Sequence, residues 1–584
     1  MEKQPFSLLS LIRYLKPYWH WVLLAPFAMF LEAYMDLLQP ALMKRIVDDG
    51  VMASDQALVF RTGLQMFWYA LLGACGGCLC TYFSSKAAMG FGNDVRKALF
   101  FRIQQLSFEQ TDRFTAGSLT VRLTSDIGTL QFLVISLTRM LLRSPFLLFG
   151  SIVFVIRTDW HLALPLLLSA PLLIIAVVCW MRKLIPLFQK RLEQSDSLNA
   201  KMQETLTGIR VVKAFDTEKG EASRFEVLNR ALSDTDLKSG YLHSTLGPAL
   251  SLIQHLTVVV ILIVAAYEAN SGLVKAGEIA AIVNWVSQVM MSLIHLSFMT
   301  MHFSRAVISA HRVLEVLATE PAIRDVEEKS VPEDGSVEFR DVAFAYPGSS
   351  GLPVLEHISF KAPMGTHIAI VGATGSGKTT LLNLLARFYE PDSGEILVGG
   401  RSIRTYALDS LRSIMGIVLQ NPRLFAGTVF ENVRWGRPDA SDEEVEDVLR
   451  IAQADRFVSR FPQRGATNVA QGGVSLSGGQ KQRLSIARAL IREPKILIFD
   501  DATSAVDPVT ERLIWDSIRA RFRRTTVLSV AQRASSLQAA DRILVLEKGR
   551  IVGFCTHDEL LQNCEIYKEI IDSQITPTDR KEGV

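Results

Sequence analysis

A run of eight residues, Gly372-Ala373-Thr374-Gly375-Ser376-Gly377-Lys378-Thr379, follows the apolar stretch His367–Val371 and opens the helix-forming stretch Thr380–Phe388. Strand, glycine-rich turn and helix in that order are what a phosphate-binding loop requires. Glycines let backbone amides converge on phosphate oxygens at a helix N-terminus, Lys378 brings a positive charge to the β- and γ-phosphates, and the Thr379 hydroxyl can ligate Mg²⁺. The competing reading is a glycine-rich turn assembled by chance, and a complete pattern in the right context argues strongly against it. Gly372, Thr374, Gly375, Ser376, Gly377, Lys378, Thr379 and Thr380 are thus the expected phosphate cradle.

Much further along, Ile496-Leu-Ile-Phe-Asp500 reads as a buried strand ending in an acid, which would present a carboxylate to the metal beside that loop. A strand-end Asp is common as a cap and means little alone. Between the two stands Leu476-Ser477-Gly478-Gly479-Gln480, followed by the helix-forming run KQRLSIARAL. Ser477 and the glycines precede that helix and can offer a hydroxyl and backbone amides to a γ-phosphate, so this is a second phosphate clamp.

With these motifs in place, the region Val337–Leu561 closely resembles the nucleotide-binding domain of ATP-binding cassette (ABC) transporters, and residues 1–320 resemble the membrane domain of their exporter class. The resemblance implies ATP and Mg²⁺ as ligands, with Thr379, Gln420 and Asp500 around the metal and Tyr346 stacked on adenine. Gln420 would also link the γ-phosphate to the membrane domain. Ser504-Ala-Val-Asp507 would cross a dimer interface between head-to-tail chains. Each ATP would then lie between one chain's phosphate loop and the other chain's Ser477, Gly478, Gly479 and Gln480. Turn segments near Asp112–Ser118 and Phe215–Ser223 match the family's coupling helices. For Tyr346 and Gln420 taken alone, a core aromatic and a solvated polar residue would be the better readings.

Three positions depart from the family pattern. The residue after the strand-end acid is usually Glu, acting as general base, and here it is Asp501; a misplacement of about 1 Å in such a group can cost roughly a hundredfold in rate. The usual switch His is Gln532, whose amide can hydrogen-bond a phosphate but cannot exchange a proton near neutral pH. Gln471 stands where a Glu is common. The first two changes touch the hydrolysis groups and leave the binding residues intact. They resemble the degenerate-site subunit of a heterodimeric bacterial exporter, whose partner is a second half-transporter; neutral drift is the plainer alternative.

The elements that must position these groups fall into two textures. The chain has 584 residues, 49% hydrophobic and 21% charged, between a soluble globular protein and a pure membrane protein. Thr62–Ser85, His161–Met181, Ser239–Tyr267 and Ile279–Ser304 contain no Asp, Glu, Lys or Arg, and Trp19–Met43 and Leu137–Ile156 add two weaker crossings. The connections after the first, third and fifth spans are short and are expected outside. Lys86–Asp126 and Arg182–Lys238 are long, charged and helical in pattern, which places them, both termini and the nucleotide-binding domain in the cytoplasm, with the spans in the plasma (inner) membrane. The predicted fold is an all-α six-helix transmembrane domain (1–320), a polar linker (321–336), an α/β ATP-binding cassette domain (337–573) and a polar tail (574–584). A net charge of +3 gives no case for nucleic-acid binding. Among the six cysteines, Cys75, Cys78 and Cys80 interleave with Gly73, Gly76 and Gly77, a pattern better suited to close helix packing than to metal.

Ionisable groups inside a span are functional candidates by default, and Glu32 and Asp36 share one helix face. A cation-binding role is one reading and an internal ion pair with Arg139 or Arg143 is the other. Gln288 and His295 are also on one face and can line a cavity or join helices. The expected function is ATP-driven export of hydrophobic or amphipathic compounds, multidrug above all. Lipid or peptide export is the alternative within transport, and a nucleotide-gated channel or regulatory subunit the alternative outside it.

Overall fold

The computed structural model describes residues 8–269, 274–323, 325–326, 330–347, 352–531, 533 and 537–573. Among them are six helices long and apolar enough to cross a membrane, Ile12–Val51, Gln56–Gln105, Ala116–Thr158, Trp160–Thr207, Glu218–Glu268 and Ala276–Leu296. The second, fourth and fifth run for 50, 48 and 51 residues. At 1.5 Å per residue they are about 75 Å long, well over twice the hydrocarbon thickness of a bilayer, so the charged stretches between the spans are continuations of the same helices. Large apolar side chains such as Phe27, Phe60, Leu168 and Ile263 are exposed along the spans, as lipid contact demands. The third span begins earlier than the apolar stretch Leu137–Ile156, because Ile127–Ile135 is already helical and apolar.

The chain divides into two compact units, one made of 1–104 and 115–319, the other of 105–114 and 320–584. In the first, Trp285 is fully buried and its indole nitrogen donates to the Leu37 carbonyl at 3.1 Å, tying the sixth span to the first. Small residues let the first two spans approach closely: a Cβ on Gly76 would lie 2.9 Å from the Ala28 carbonyl. Cys80 is buried there with Ser84 at 3.9 Å, while Cys75 and Cys78 are exposed.

Among the described residues the second unit holds twelve strands. β1 (Val337–Phe344), β2 (Leu355–Ala362), β4 (Ser393–Val398) and β5 (Arg401–Ser402) form an antiparallel sheet in the order β2-β1-β4-β5. β3 (His367–Val371), β6 (Met415–Val418), β9 (Ile496–Asp500), β10 (Thr526–Val530), β11 (Arg542–Glu547) and β12 (Arg550–Cys555) form a second sheet in the order β12-β11-β3-β10-β9-β6. β7 (Gly427–Thr428) and β8 (Asn468–Val469) pair on their own. In the six-stranded sheet β11, β3, β10, β9 and β6 are parallel. All five residues of β3, β9 and β10 are buried, which explains their unbroken apolar runs. The antiparallel sheet adds a layer beyond the largely parallel arrangement that the sequence texture predicts.

The turn after the second span belongs to the second unit. Phe108 meets Phe388 edge-on at 4.3 Å, and the Tyr389 hydroxyl donates to Asp112 Oδ2 at 3.2 Å. The helix that makes these contacts is Phe108–Phe114, which overlaps the start of the segment expected at Asp112–Ser118, and Thr115 onward groups with the spans. The other expected segment, Phe215–Ser223, lies in the membrane unit, with Phe215 74% exposed.

Candidate nucleotide-binding site

Parallel strands place functional groups at their carboxyl ends, and this sheet does so with β3, β10 and β9 side by side. The glycine-rich turn leaves β3 and the helix Lys378–Leu385 follows it. Gly377 has φ +101°, and a Cβ there would lie 2.6 Å from Leu355, so the turn demands glycine on both counts. The Lys378 amino group donates to the carbonyls of Gly372 and Ala373, each at 2.8 Å, and thus lies folded over the loop. Burial pulls its pKa below the usual lysine range, against the attraction of Asp501 and Asp500.

Thr379 Oγ1 donates to Asp500 Oδ1 at 2.8 Å, bringing the start of the helix to the end of β9. Burial pushes the Asp500 carboxyl up, and the Thr379 hydrogen bond works in the opposite direction. Asp501 is also pushed up by burial and is opposed first by a hydrogen bond to the Gln420 side chain. Its backbone is left-handed at φ 51°, which turns the chain sharply after β9. A cavity of about 390 Å³ is lined by Tyr346, Thr374, Gly375, Gly377, Lys378, Thr379, Thr380, Gln420, Asp500 and Asp501. Tyr346 sits at this cavity with its hydroxyl 3.0 Å from Thr380 Oγ1 and its ring edge-on to Phe344 and Tyr389. Ser376 is buried in the loop itself, 3.4 Å from Lys378 Nζ.

The donor set fits a hard divalent ion: a hydroxyl, an amide and a carboxylate, all oxygen ligands, converge from Thr379, Gln420 and Asp500. Lys378 and the positive-φ glycines beside them suit the phosphates such an ion accompanies. Two cavity residues carry no polar signature and were not among the predicted groups, Val354 and Val530. Val530 reaches the cavity because it pairs in register with Asp500. Gln532 lies outside the described residues.

Ser477, Gly478, Gly479 and Gln480 do not line this cavity. Ser477 caps the helix Gly478–Leu490: its hydroxyl accepts from the Gln480 amide at 3.3 Å and Gln480 Oε1 accepts from the Ser477 amide at 2.9 Å. A Cβ on Gly479 would lie 2.6 Å from the Ala505 carbonyl, so the segment packs against the Ser504–Asp507 turn. Gln482 reinforces that contact through Ser504 Oγ at 3.2 Å and the Ala505 amide at 3.0 Å. Gln471 lies in the short turn Gln471–Gly473 before this segment.

In the membrane unit, Arg143 reaches both acidic candidates, Glu32 at 3.1 Å and Asp36 at 2.7 Å. Asp36, Arg143, Gln288 and His295 line a cavity of about 310 Å³ together with Leu147 and Met291. Glu32 is outside that lining, turned toward Gly77. Gln288 also bonds Ser151 Oγ at 3.1 Å and the Asp36 carbonyl at 3.3 Å.

Comparison with known proteins adds to this geometry. Residues 22–293 match the ABC transporter transmembrane region, and residues 355–504 match the ABC transporter family description. The chain is 36% identical over 563 residues to YfiB of Bacillus subtilis, an uncharacterized ABC transporter ATP-binding protein, covering 96% of this chain and 98% of that one. A fatty acid ABC transporter ATP-binding/permease protein of Mycobacterium bovis is 36% identical over 470 residues, 80% of this chain and 74% of its own. The solved structure of a bacterial Atm1-family ABC exporter with ATP bound matches with a TM-score of 0.80 at 26% identity, covering 98% of this chain and 99% of that one.

Proposed function

Since the chain belongs to the ABC transporter family, whose ATPase domain drives transport, we propose that it is one half of an exporter completed by a second half-transporter. The observation that carries this reading is a separation within the chain. Lys378, Thr379, Gln420, Asp500 and Asp501 face one cavity, while Ser477–Gln480 present a capped helix start elsewhere. Each half is a phosphate clamp in its own right, and a second chain supplies the missing half to each.

In this reading Lys378 and the loop amides hold the phosphates of ATP, Tyr346 lies against adenine, and Thr379, Gln420 and Asp500 hold Mg²⁺. Asp501 orients the attacking water with a carboxylate one methylene short, while its hydrogen bond to Gln420 holds it back. Gln532 cannot take a proton there. The chain's own site is therefore slow, and its intact signature serves the partner's site, which makes the working unit a heterodimer. The charged helix extensions favour a cytoplasmic nucleotide-binding unit and a plasma-membrane location.

The substrate is a hydrophobic or amphipathic compound, multidrug in type. Supporting this, the membrane cavity sets the charged pair Asp36 and Arg143 beside Leu147 and Met291. Similarity to the fatty acid transporter favours a second reading, in which the substrate is a lipid. Proteoliposomes holding the chain and its partner separate these. Uphill, ATP-dependent accumulation of a cationic amphipathic dye supports the first, and accumulation of a fatty acid alone supports the second. Passive ion flux gated by ATP, with neither accumulated, would replace both with a channel.

A further inference from the structure

Asp159, His161 and Glu268 belong to neither the nucleotide site nor the membrane cavity. Asp159 is the turn residue between the third and fourth spans, His161 lies in the first turn of the fourth, and Glu268 ends the fifth. One ligand atom from each lies within 4.8 Å of the other two. His161 Nδ1 is 3.6 Å from Asp159 Oδ1 and 3.6 Å from Glu268 Oε1. A hydrogen bond would bring each pair to about 2.7–3.2 Å. Ligand atoms about 2.0–2.2 Å from a shared tetrahedral ion stand about 3.3–3.6 Å apart, which is the spacing of the two histidine–carboxylate pairs.

A second observation points the same way. Glu268 Oε2 is buried and has no hydrogen-bond partner among the described residues, a costly state for a carboxylate oxygen unless a cation compensates it. The other two ligands are held in place. Asp159 Oδ1 accepts from the amides of His161 at 2.7 Å and Leu162 at 3.4 Å. The His161 ring lies against Trp160 at 4.0 Å between ring centres. His161 is also 54% exposed, which leaves a way in for an ion and a position for water.

We propose that Asp159, His161 and Glu268 form a site for a first-row divalent transition metal of the Zn²⁺ class. One imidazole with two carboxylates is a borderline set, too hard for Cu⁺ and better matched to Zn²⁺, Co²⁺ or Mn²⁺ than to Ca²⁺. The ion braces the start of the fourth span to the end of the fifth, and the same two helices pack along their lengths. The site owes nothing to ATP binding, so it holds its metal in the nucleotide-free chain.

The test uses the full chain in lipid nanodiscs, without a polyhistidine tag, stripped with chelator and free of nucleotide. Zn²⁺ is titrated by calorimetry and Co²⁺ by its visible absorption, and the thermal midpoint is read with and without Zn²⁺. The parent is expected to bind one ion per chain and to gain several degrees. His161→Ala and Glu268→Gln each weaken binding by at least about tenfold and lose the gain, while keeping fluorescent-nucleotide affinity. Stoichiometric binding that both variants retain would overturn the site. So would a parent that takes up no Co²⁺ below ~100 µM, which leaves His161 as a polar neighbour of the two acids.

Discussion

Thr379 Oγ1 donates a 2.8 Å hydrogen bond to Asp500 Oδ1 across the carboxyl ends of two strands that are separated by a third. The bond holds two oxygen donors together at the place where a divalent ion would take them over. Thr379→Val and Asp500→Asn should therefore weaken Mg²⁺-dependent nucleotide binding by at least about tenfold, and binding in chelator far less. Fluorescent-nucleotide titration with and without Mg²⁺ reads this directly. Equal losses in both conditions would mean that the pair is only structural.

Burial at Asp500 raises its pKa, so the ionised form weakens the folded state above the usual carboxylate range. The sign follows: stability falls as pH rises through the window between the ordinary and raised values, and the deficit persists at neutral pH. Asp500→Asn should accordingly raise the thermal midpoint of the metal-free chain at neutral pH, while removing Mg²⁺-dependent binding. A lowered midpoint would contradict this.

His367 precedes the phosphate loop and is buried, with Nε2 2.8 Å from Ser529 Oγ and its ring stacked on Trp515. Burial first, then the nearby Arg519, lower its pKa from 6.5 to about 4. A depressed histidine contributes stability that is present above 6.5 and lost as pH falls toward about 4, amounting to up to about 3 kcal/mol. Thermal midpoints across that window should drop steeply in the parent and less in His367→Gln. Parallel curves would assign the acid loss to other groups.

Arg143 alone serves Glu32 and Asp36 in the described membrane unit. Arg143→Gln should cost about 1–3 kcal/mol by leaving two acids without their cation. Adding Glu32→Gln and Asp36→Asn should restore most of it, because the unpaired charges are then gone. Surviving monodisperse protein after heating in detergent is the readout, and a triple variant no better than the single one would point to a separate role for Arg143.

Much of this was legible in the sequence because its signals are local. The phosphate loop, the Asp500 strand end and the Ser477 helix start are contiguous motifs with fixed offsets, and an apolar run long enough to span a bilayer needs no partner to be recognised. What escaped depends on distance in space. Periodicity placed Glu32 and Asp36 on one face, and only packing decided that Arg143 rather than Arg139 reaches them. Val354 lines the nucleotide cavity through sheet topology, with no polar group to announce it. Phe108 packs on Phe388, 280 positions away, a contact that no local pattern announces.

In the proposed heterodimer, this chain's signature completes a site in the partner. Ser477→Asp is the sharpest probe, because Asp keeps the helix cap that Ser477 provides yet sets a negative charge against a phosphate. Gly479 is a poorer choice, since any side chain there meets the Ala505 carbonyl. ATPase activity of the purified pair should fall by at least about a hundredfold in Ser477→Asp and remain near parental in Ser477→Thr. Asp501→Ala should cost no more than about twofold. The reverse ranking, with Asp501→Ala abolishing turnover and Ser477→Asp active, would contradict the account and make this chain an ordinary catalytic half.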